Sequence, residues 1–231
     1  MSDVVIELRG VNKHFPVGDT TVQVLKDISF EVRAGEFVAI VGQSGSGKST
    51  LLNMLTGVDR PTSGEVVIGG RTLGGQSEDD LALWRRTEIG IVFQFFNLVP
   101  GLTLGQNVRL PMDLAARVPA AERAARVRHL LDDVGLANRL DWMPARISGG
   151  DQQRAAIARA NANDPPIIFG DEATGRQDPR SALACFDLFQ RWVAAGKTFL
   201  LVTHSRELAL RTQRVIELAD GRIVSDRRLG A

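Results

Sequence analysis

Tyrosine is absent from this chain of 231 residues, and cysteine occurs only once, as Cys185. A single cysteine excludes an internal disulfide framework, so the chain is not a small disulfide-stabilised secreted domain. Cys185 lies in the mainly apolar stretch 183–188, which is more typical of a buried small residue than of a nucleophile. This cysteine usage fits a reducing cytoplasm.

An excess of either charge is also missing. The chain has 28 Lys and Arg against 27 Asp and Glu, for a formal net charge of +1. Neither a nucleic acid nor an anionic membrane surface is therefore expected as the main partner. A hydrophobic fraction of 44% over 231 residues predicts one large domain, or one domain with an inserted subdomain.

Signals for secretion and for membrane insertion are lacking too. The first residues show no basic region followed by an apolar one, so no signal peptide is expected. Residues 89–108 carry no charge, but polar and helix-breaking residues interrupt them, and a spanning helix needs about 20 mainly apolar residues. The interruptions are Gln94, Asn97, Pro100, Gly101, Gln106 and Asn107. A soluble chain is expected, with any membrane role supplied by a partner.

Short apolar strands alternate with helices along the chain. The predicted strands are residues 4–8, 28–32, 37–41, 65–68, 89–93, 167–169, 198–202, 215–218 and 223–225. The predicted helices are residues 49–55, 120–134 and 149–162. Strands dominate both ends, and helices dominate from about residue 104 to residue 162. An α/β core interrupted by a helical insert is the simplest architecture that fits.

A glycine-rich run between the strand 37–41 and the helix 49–55 is typical of a phosphate loop. Glycines let backbone N–H groups curl around phosphate oxygens, and the following helix adds its positive dipole end. Lys48 would face the β- and γ-phosphates, and Ser49 would offer its hydroxyl to Mg²⁺. The predicted ATP-binding run is Gly42, Gln43, Ser44, Gly45, Ser46, Gly47, Lys48, Ser49 and Thr50. The alternative is a chance Gly/Ser-rich turn.

Two carboxylates follow the apolar strand 167–169. Asp171 is suited to hold the Mg²⁺ shell, and Glu172 is suited to orient and polarise the attacking water. The alternative is an acidic pair that caps the next helix. Together with the phosphate loop, the pair favours nucleotide hydrolysis.

A second helix start shows two glycines where capping alone needs none. Ser148 and Asp151 nearly form a capping box, but each glycine in the first turn costs about 1 kcal/mol relative to Ala. Gly149 and Gly150 make sense if an anion approaches the bare backbone. One chain carries one phosphate loop, so this second terminus is predicted to serve a nucleotide held by another subunit.

These motifs, in this order, resemble those of the nucleotide-binding subunit of ABC transporters, over essentially the whole length of the chain. Further stretches make the chain similar to the lipoprotein-release and macrolide-efflux group of that family. They are residues 57–65, Phe93-Gln94 with Phe96-Asn97-Leu98, Leu102-Thr103, Asn107-Val108 and Leu110-Pro111. The signature run is residues 148–154.

The resemblance implies a fold and its division. It implies a P-loop NTPase (RecA-like) core with an N-terminal antiparallel β subdomain and an inserted α-helical subdomain. We predict one domain over residues 1–231, with the α/β nucleotide-binding core in residues 1–94 and 163–231. The helical subdomain with the signature would occupy residues 95–162.

The resemblance also implies roles for single residues. Phe15 falls where the family usually has a tyrosine that stacks on adenine; a core phenylalanine is the alternative. Gln94 matches the glutamine that contacts Mg²⁺ or the water, and His204 matches the histidine that contacts the γ-phosphate. Asp178 matches the aspartate of the D-loop, which crosses the dimer interface.

Five positions depart from the family pattern. Ala173 replaces a usual proline, Gln43 stands where proline is common, and Asn161 replaces an aliphatic residue. The D-loop reads Arg176-Gln177 before its aspartate, where this group usually has Asn-Leu. No departure removes a catalytic group.

The resemblance implies an ATP-hydrolysing motor that works with Mg²⁺ as a homodimer, or as a heterodimer with a similar subunit. It would act at the cytoplasmic face of the membrane on a separate permease, with Phe95, Phe96, Leu98 and Val99 as a receiving groove or, alternatively, as core. One alternative is an ATPase that controls a membrane partner in cell-wall or division signalling without transport. A more remote one is a soluble ATPase acting on nucleic acid or ribosomes.

Overall fold

A computed structural model describes residues 3–174 and 178–229. An antiparallel sheet of four strands, in the order β2-β1-β4-β5, forms the N-terminal part. Its strands are β1 (Val4–Val17), β2 (Thr20–Arg33), β4 (Ser63–Ile68) and β5 (Arg71–Thr72). The predicted antiparallel β subdomain is confirmed.

A six-stranded sheet, in the order β10-β9-β3-β8-β7-β6, carries the rest of the core. All neighbours in it pair in parallel except β10, which pairs antiparallel with β9. Its strands are β3 (Phe37–Val41), β6 (Ile89–Val92), β7 (Ile167–Asp171), β8 (Thr198–Val202), β9 (Arg214–Ala219) and β10 (Arg222–Arg228).

The parallel sheet is covered on both faces, which is why its central strands are continuous apolar runs. Along β8 the side chains of Leu200 and Val202 join one hydrophobic cluster, and those of Phe199 and Leu201 join another. The first cluster packs the sheet against α1 and the antiparallel strands, and the second packs it against α3–α6. The helices are α1 (Lys48–Leu55), α2 (Glu78–Glu88), α3 (Leu104–Ala115), α4 (Ala120–Asp133), α5 (Gly149–Ala160), α6 (Pro179–Ala194) and α7 (Arg206–Ala209).

Helices α3, α4 and α5 lie between β6 and β7, as the predicted helical insert requires. The division at residues 95 and 162 stays a prediction. None of the helices in the described ranges combines the length and the apolarity that a bilayer crossing needs.

The sequence-based boundaries of the first strand were wrong. We expected a strand at residues 4–8, but β1 runs to Val17 and forms a long hairpin with β2 through Gly18-Asp19. The register of this hairpin shifts several times, between Leu8 and Val11 among other places. Such bulges interrupt the alternation of apolar residues on which the prediction relied.

Candidate nucleotide site and signature helix

A cavity of about 520 Å³ gathers most of the predicted catalytic and ATP-binding residues. The phosphate loop joins β3 to α1, and Gln94, Glu172 and His204 follow β6, β7 and β8. These strands are parallel, so their carboxyl ends meet at one edge of the sheet, where α/β proteins bind ligands. The lining residues are Val24, Ser44, Gly45, Gly47, Lys48, Ser49, Thr50, Gln94, Glu172 and His204.

The phosphate loop curls around the Lys48 ammonium. Gly47 adopts a left-handed φ of 103° and leads into α1, a conformation that glycine adopts without strain. Lys48 is 8% exposed, and its Nζ donates to the carbonyl oxygens of Gly42 at 2.9 Å and Gln43 at 2.8 Å. The cation therefore lies inside the curl, where the resemblance places phosphate oxygens.

The outer side of the loop rests on the β9–β10 hairpin. A Cβ on Gly42 would come within 2.2 Å of the Leu218 carbonyl oxygen. Gly221, in the hairpin turn, donates its N–H to the Ser46 carbonyl oxygen at 3.1 Å. The backbone of the loop is thus held from outside by its own subunit.

The side chains of Glu172 and His204 are in contact across the ends of two neighbouring strands. The distance between His204 Nδ1 and Glu172 Oε2 is 2.5 Å. Glu172 has a left-handed φ of 48°, and its N–H donates to the Val202 carbonyl oxygen at 2.9 Å. Sequence reasoning named both side chains separately; their contact follows from the parallel pairing of the consecutive strands β7 and β8.

Asp171 is the last residue of β7, and its side chain is half-buried. It is not among the residues that line the cavity. Its Oδ1 is buried and has no hydrogen-bond partner among the described residues. Burial raises the pKa of Asp171, the charge of Glu172 raises it further, and Lys48 opposes both effects. A carboxylate in this state has unused capacity to bind a cation.

The signature run opens α5 away from this cavity. Ser148 is the N-cap, and its Oγ accepts the Asp151 N–H at 3.2 Å. A Cβ on Gly149 would meet only Phe96, at 3.4 Å, and one on Gly150 only the Ser148 Oγ, at 3.9 Å. The helix start is therefore uncrowded among the described residues, and none of residues 148–151 lines the cavity.

Asp151 is buried, and its carboxylate pairs with two arginines. It is 6% exposed and pairs with Arg139 at 2.5 Å and with Arg154. Burial alone would raise the pKa of Asp151, but hydrogen bonding to Ser148 and the charges of Arg154 and Arg139 outweigh it, so the pKa is lowered. Its predicted place in the signature contact stays a prediction.

Phe15 and Asp178 do not line the cavity. Phe15 lies in β1 opposite Val22, is 36% exposed, and has the Lys13 ammonium 4.8 Å from its ring centre. Asp178 caps α6, where its carboxylate accepts two backbone N–H groups. The departures at residues 176 and 177 lie outside the described residues. The roles of Phe15 and Asp178 stay predictions.

Sequence reasoning missed Gln153. This residue of α5 is 1% exposed, and its side-chain amide reaches the backbone beside Gln94 and beside Glu172. One sequence feature could have identified this residue. Gln153 is a polar residue next to the apolar run Ala155, Ala156 and Ile157 of a predicted helix.

Comparison with known proteins gives concordant matches. The family model described as "ABC transporter" matches residues 25–175. The macrolide export ATP-binding/permease protein MacB 1/2 of Paracoccus denitrificans is 45% identical over 226 residues, which are 98% of this chain and 34% of that protein. The chain thus spans about a third of the length of such relatives. An uncharacterized ABC transporter ATP-binding protein of Thermotoga maritima is 46% identical over 226 residues, or 98% of this chain and 96% of that one.

Solved structures agree. The ATP-binding cassette MJ0796, in a dimeric post-hydrolysis state bound to ADP and Pi, matches with a TM-score of 0.93 and 38% identity. The match covers 98% of this chain and 99% of that one. The family model, the relatives and the solved structures agree: the chain belongs to the ABC transporter family, as one of its ATPase cassettes.

Proposed function

We propose that this chain is the ATP-hydrolysing motor of an export-type ABC transporter, in which two cassettes close around two ATP molecules and drive a membrane permease. One observation supports it above the others: the phosphate loop, Gln94, Glu172 and His204 line a single cavity. A triphosphate held by Lys48 in that cavity would have its γ-phosphate beside a carboxylate and an imidazole.

Glu172 is the proposed general base. Its pairing with His204 orients the carboxylate, and a water between Glu172 and the γ-phosphate would be activated for in-line attack. Gln94 would position the same water from the end of β6, the other neighbour of β7. Phe15 would stack on the adenine from the β1–β2 hairpin. The Lys48 cation would bind the β- and γ-phosphate oxygens.

Two cassettes are required because the signature helix start does not reach its own cavity. Its glycines are uncrowded, and backbone N–H groups at a helix N-terminus, together with the positive end of the helix dipole, bind anions. In a facing pair of chains, Ser148, Gly149 and Gly150 of one would meet the triphosphate on Lys48 of the other. The relative of known structure was solved as a dimer with ADP and Pi, which supports this arrangement for either a homodimer or a heterodimer.

Three oxygen-bearing side chains of the proposed site are suitable ligands for Mg²⁺. The unpartnered Asp171 Oδ1, the Ser49 hydroxyl and the Gln94 amide oxygen are hard oxygen ligands. Within the described ranges, no group of three or more His, Cys, Asp or Glu forms a metal cage, and a magnesium site built around nucleotide phosphates needs none. Bound Mg²⁺ would neutralise phosphate charge, while Asp171, Ser49 and Gln94 hold its shell.

The proposed contact with the permease, which would lie at the cytoplasmic face of the membrane, is a groove of about 410 Å³ beside β6. Ile91, Phe93, Leu110, Pro111 and Leu114 make it apolar, and Arg85, Arg86 and Arg159 line it. Each of these guanidinium groups donates to main-chain carbonyl oxygens. An amphipathic permease segment with an acidic side chain would complement it. The predicted receiving residues Phe95, Phe96, Leu98 and Val99 are not among those lining the groove.

The test is Glu172→Gln, which keeps the shape and removes the base. ATP binding should persist, kcat should fall by about 100-fold or more, and an ATP-dependent dimer should accumulate. Phosphate release and light scattering with ATP measure these outcomes. The exposed Glu207→Gln is the matched control and should behave as the unsubstituted chain. Undiminished turnover in Glu172→Gln would refute the role of this carboxylate.

A further inference from the structure

One buried amide joins α5 to the two segments that carry Gln94 and Glu172. Gln153 Nε2 donates to the Phe93 carbonyl oxygen at 3.2 Å and to the Ala173 carbonyl oxygen at 2.9 Å. Phe93 directly precedes Gln94, and Ala173 directly follows Glu172. Gln153 is 1% exposed, so these bonds form out of contact with water.

The orientation of this amide is determined by its partners. Both acceptors are carbonyl oxygens, so the nitrogen end must face them, and both of its hydrogens are used. The other end, Oε1, is buried and has no partner among the described residues. Leaving a buried oxygen unpaired costs free energy, and the arrangement keeps two donors in place despite that cost.

The backbone beside Gln153 needs such support. Glu172 holds a left-handed φ of 48°, which is uncommon outside glycine and persists only where the surroundings maintain it. Its own N–H is bonded to Val202, and the carbonyl of the next residue is bonded to Gln153. The Glu172 carboxylate is therefore positioned from β8 on one side and from α5 on the other.

We propose that Gln153 is a positioning residue that transmits the position of α5 to Gln94 and Glu172 of the same chain. The N-terminus of α5 is where the proposed function places the triphosphate of the facing subunit, and this inference rests on that function. When that triphosphate binds Ser148, α5 is fixed, and the two carbonyls bonded to Gln153 are fixed with it. Each cavity would then reach its catalytic geometry only when the other nucleotide is in place.

The experiment compares two neighbouring glutamines of α5. Gln153→Met keeps the side-chain length and removes both donors. Gln152→Met is the matched control, because the Gln152 amide donates to the Pro144 carbonyl oxygen, at 3.1 Å, and has no bond to the catalytic segments among the described residues. Gln153→Glu is a second variant, which keeps the size and turns acceptor oxygens towards the two carbonyls. Steady-state ATP hydrolysis by the full chain is measured against ATP concentration, with thermal unfolding of each variant.

Gln153→Met should lower kcat by about tenfold or more relative to Gln152→Met, because misplaced catalytic groups cost rate rather than binding. The ATP concentration for half-maximal rate should change by less than about threefold, since the phosphate loop is untouched. The Hill coefficient should fall towards that of independent sites, and Gln153→Glu should be at least as slow.

Two results would overturn the inference. If Gln153→Met unfolds at a lower temperature yet keeps the kcat and Hill coefficient of Gln152→Met, the residue only stabilises the fold. If the unsubstituted chain hydrolyses no ATP at all, the proposed function fails and this inference falls with it. Normal hydrolysis by the unsubstituted chain, with equal kcat in both methionine variants, refutes the positioning role alone.

Discussion

The two glycine-rich segments of this chain have opposite surroundings. The phosphate loop is packed on its outer side: a Cβ at Gly42 would clash with the Leu218 carbonyl oxygen at 2.2 Å, and one at Gly47 would meet Leu25 at 2.9 Å. At the start of α5, a Cβ on Gly149 would touch only Phe96, and one on Gly150 only Ser148. The same residue type is therefore required for different reasons.

In the phosphate loop, glycine is needed by the fold of the subunit itself. At the signature, none of the described residues crowds the glycines, and the proposed approach of a facing triphosphate would explain why glycine is needed there. This difference is the physical basis for regarding the first segment as a complete half-site within one subunit, and the second as a surface that completes the site of another.

The largest predicted effect separates Gly42→Ala from Gly150→Ala. Gly42→Ala should lower the free energy of unfolding by about 1–3 kcal/mol, as overpacking does, and should abolish ATP binding by the monomer. Gly150→Ala should raise it by about 0.5–1 kcal/mol, because alanine is the better helix former. Denaturant unfolding and fluorescent-nucleotide titration measure both.

Gly150→Ala should nevertheless lose ATPase activity and ATP-driven dimerisation, since its methyl group would stand where the facing triphosphate approaches. Monomer affinity for ATP should stay within about twofold of the unsubstituted value, because the phosphate loop is unchanged. A Gly150→Ala chain that is both stabilised and fully active would show that the signature glycines serve no ligand.

A smaller effect is expected at the turn that supports the phosphate loop. Gly221 and Gly18 both lie in two-residue hairpin turns with positive φ, at 75° and 59°. A Cβ on Gly221 would meet the Val24 carbonyl oxygen at 2.2 Å, whereas one on Gly18 would meet nothing within 4 Å. Gly221→Ala should weaken ATP binding by about tenfold, and Gly18→Ala should show only the backbone strain of about 1 kcal/mol in stability. Equal ATP affinities would mean that the turn does not position the loop.

The smallest predicted effect is on the pH dependence of folding stability. The lowered pKa of Asp151 means that its ion pairs stabilise the folded state above the ordinary aspartate pKa of about 3.9, and that this contribution is lost as pH falls through the folded value. Asp151→Asn should therefore be less stable than the unsubstituted chain at neutral pH, with the gap closing on acidification. Urea unfolding across a pH series checks this, and a gap that does not depend on pH would contradict it.

Much of the core could be predicted from local pattern. The buried strand, glycine-rich turn and helix of the phosphate loop share one short segment, and the alternation of strands and helices predicts the α/β core and its helical insert. Local pattern failed where a strand was irregular, as in β1, and the predicted helices did not include α2. In α2, Leu81 and Trp84 are the buried pair three positions apart, a spacing that helical periodicity identifies.

The contacts that make the site work were beyond sequence reasoning. Glu172 and His204 follow two consecutive strands, β7 and β8, but the contact of their side chains depends on where those strands end in space, which the sequence does not give. Gln153 meets Phe93 and Ala173, which are 60 and 20 positions away. A glutamine in a helix carries no sign of such partners in a single sequence.

The most direct test of the central claim is complementation between two inactive chains. Lys48→Ala removes the phosphate-loop cation, and Ser148→Arg blocks the signature surface; each chain alone should hydrolyse no ATP. In a mixed dimer, one of the two composite sites combines an intact Lys48 with an intact Ser148, so phosphate release should recover to a substantial fraction of the unsubstituted rate. Absence of recovery, with heterodimers demonstrated by differential tagging, would contradict a site shared between subunits.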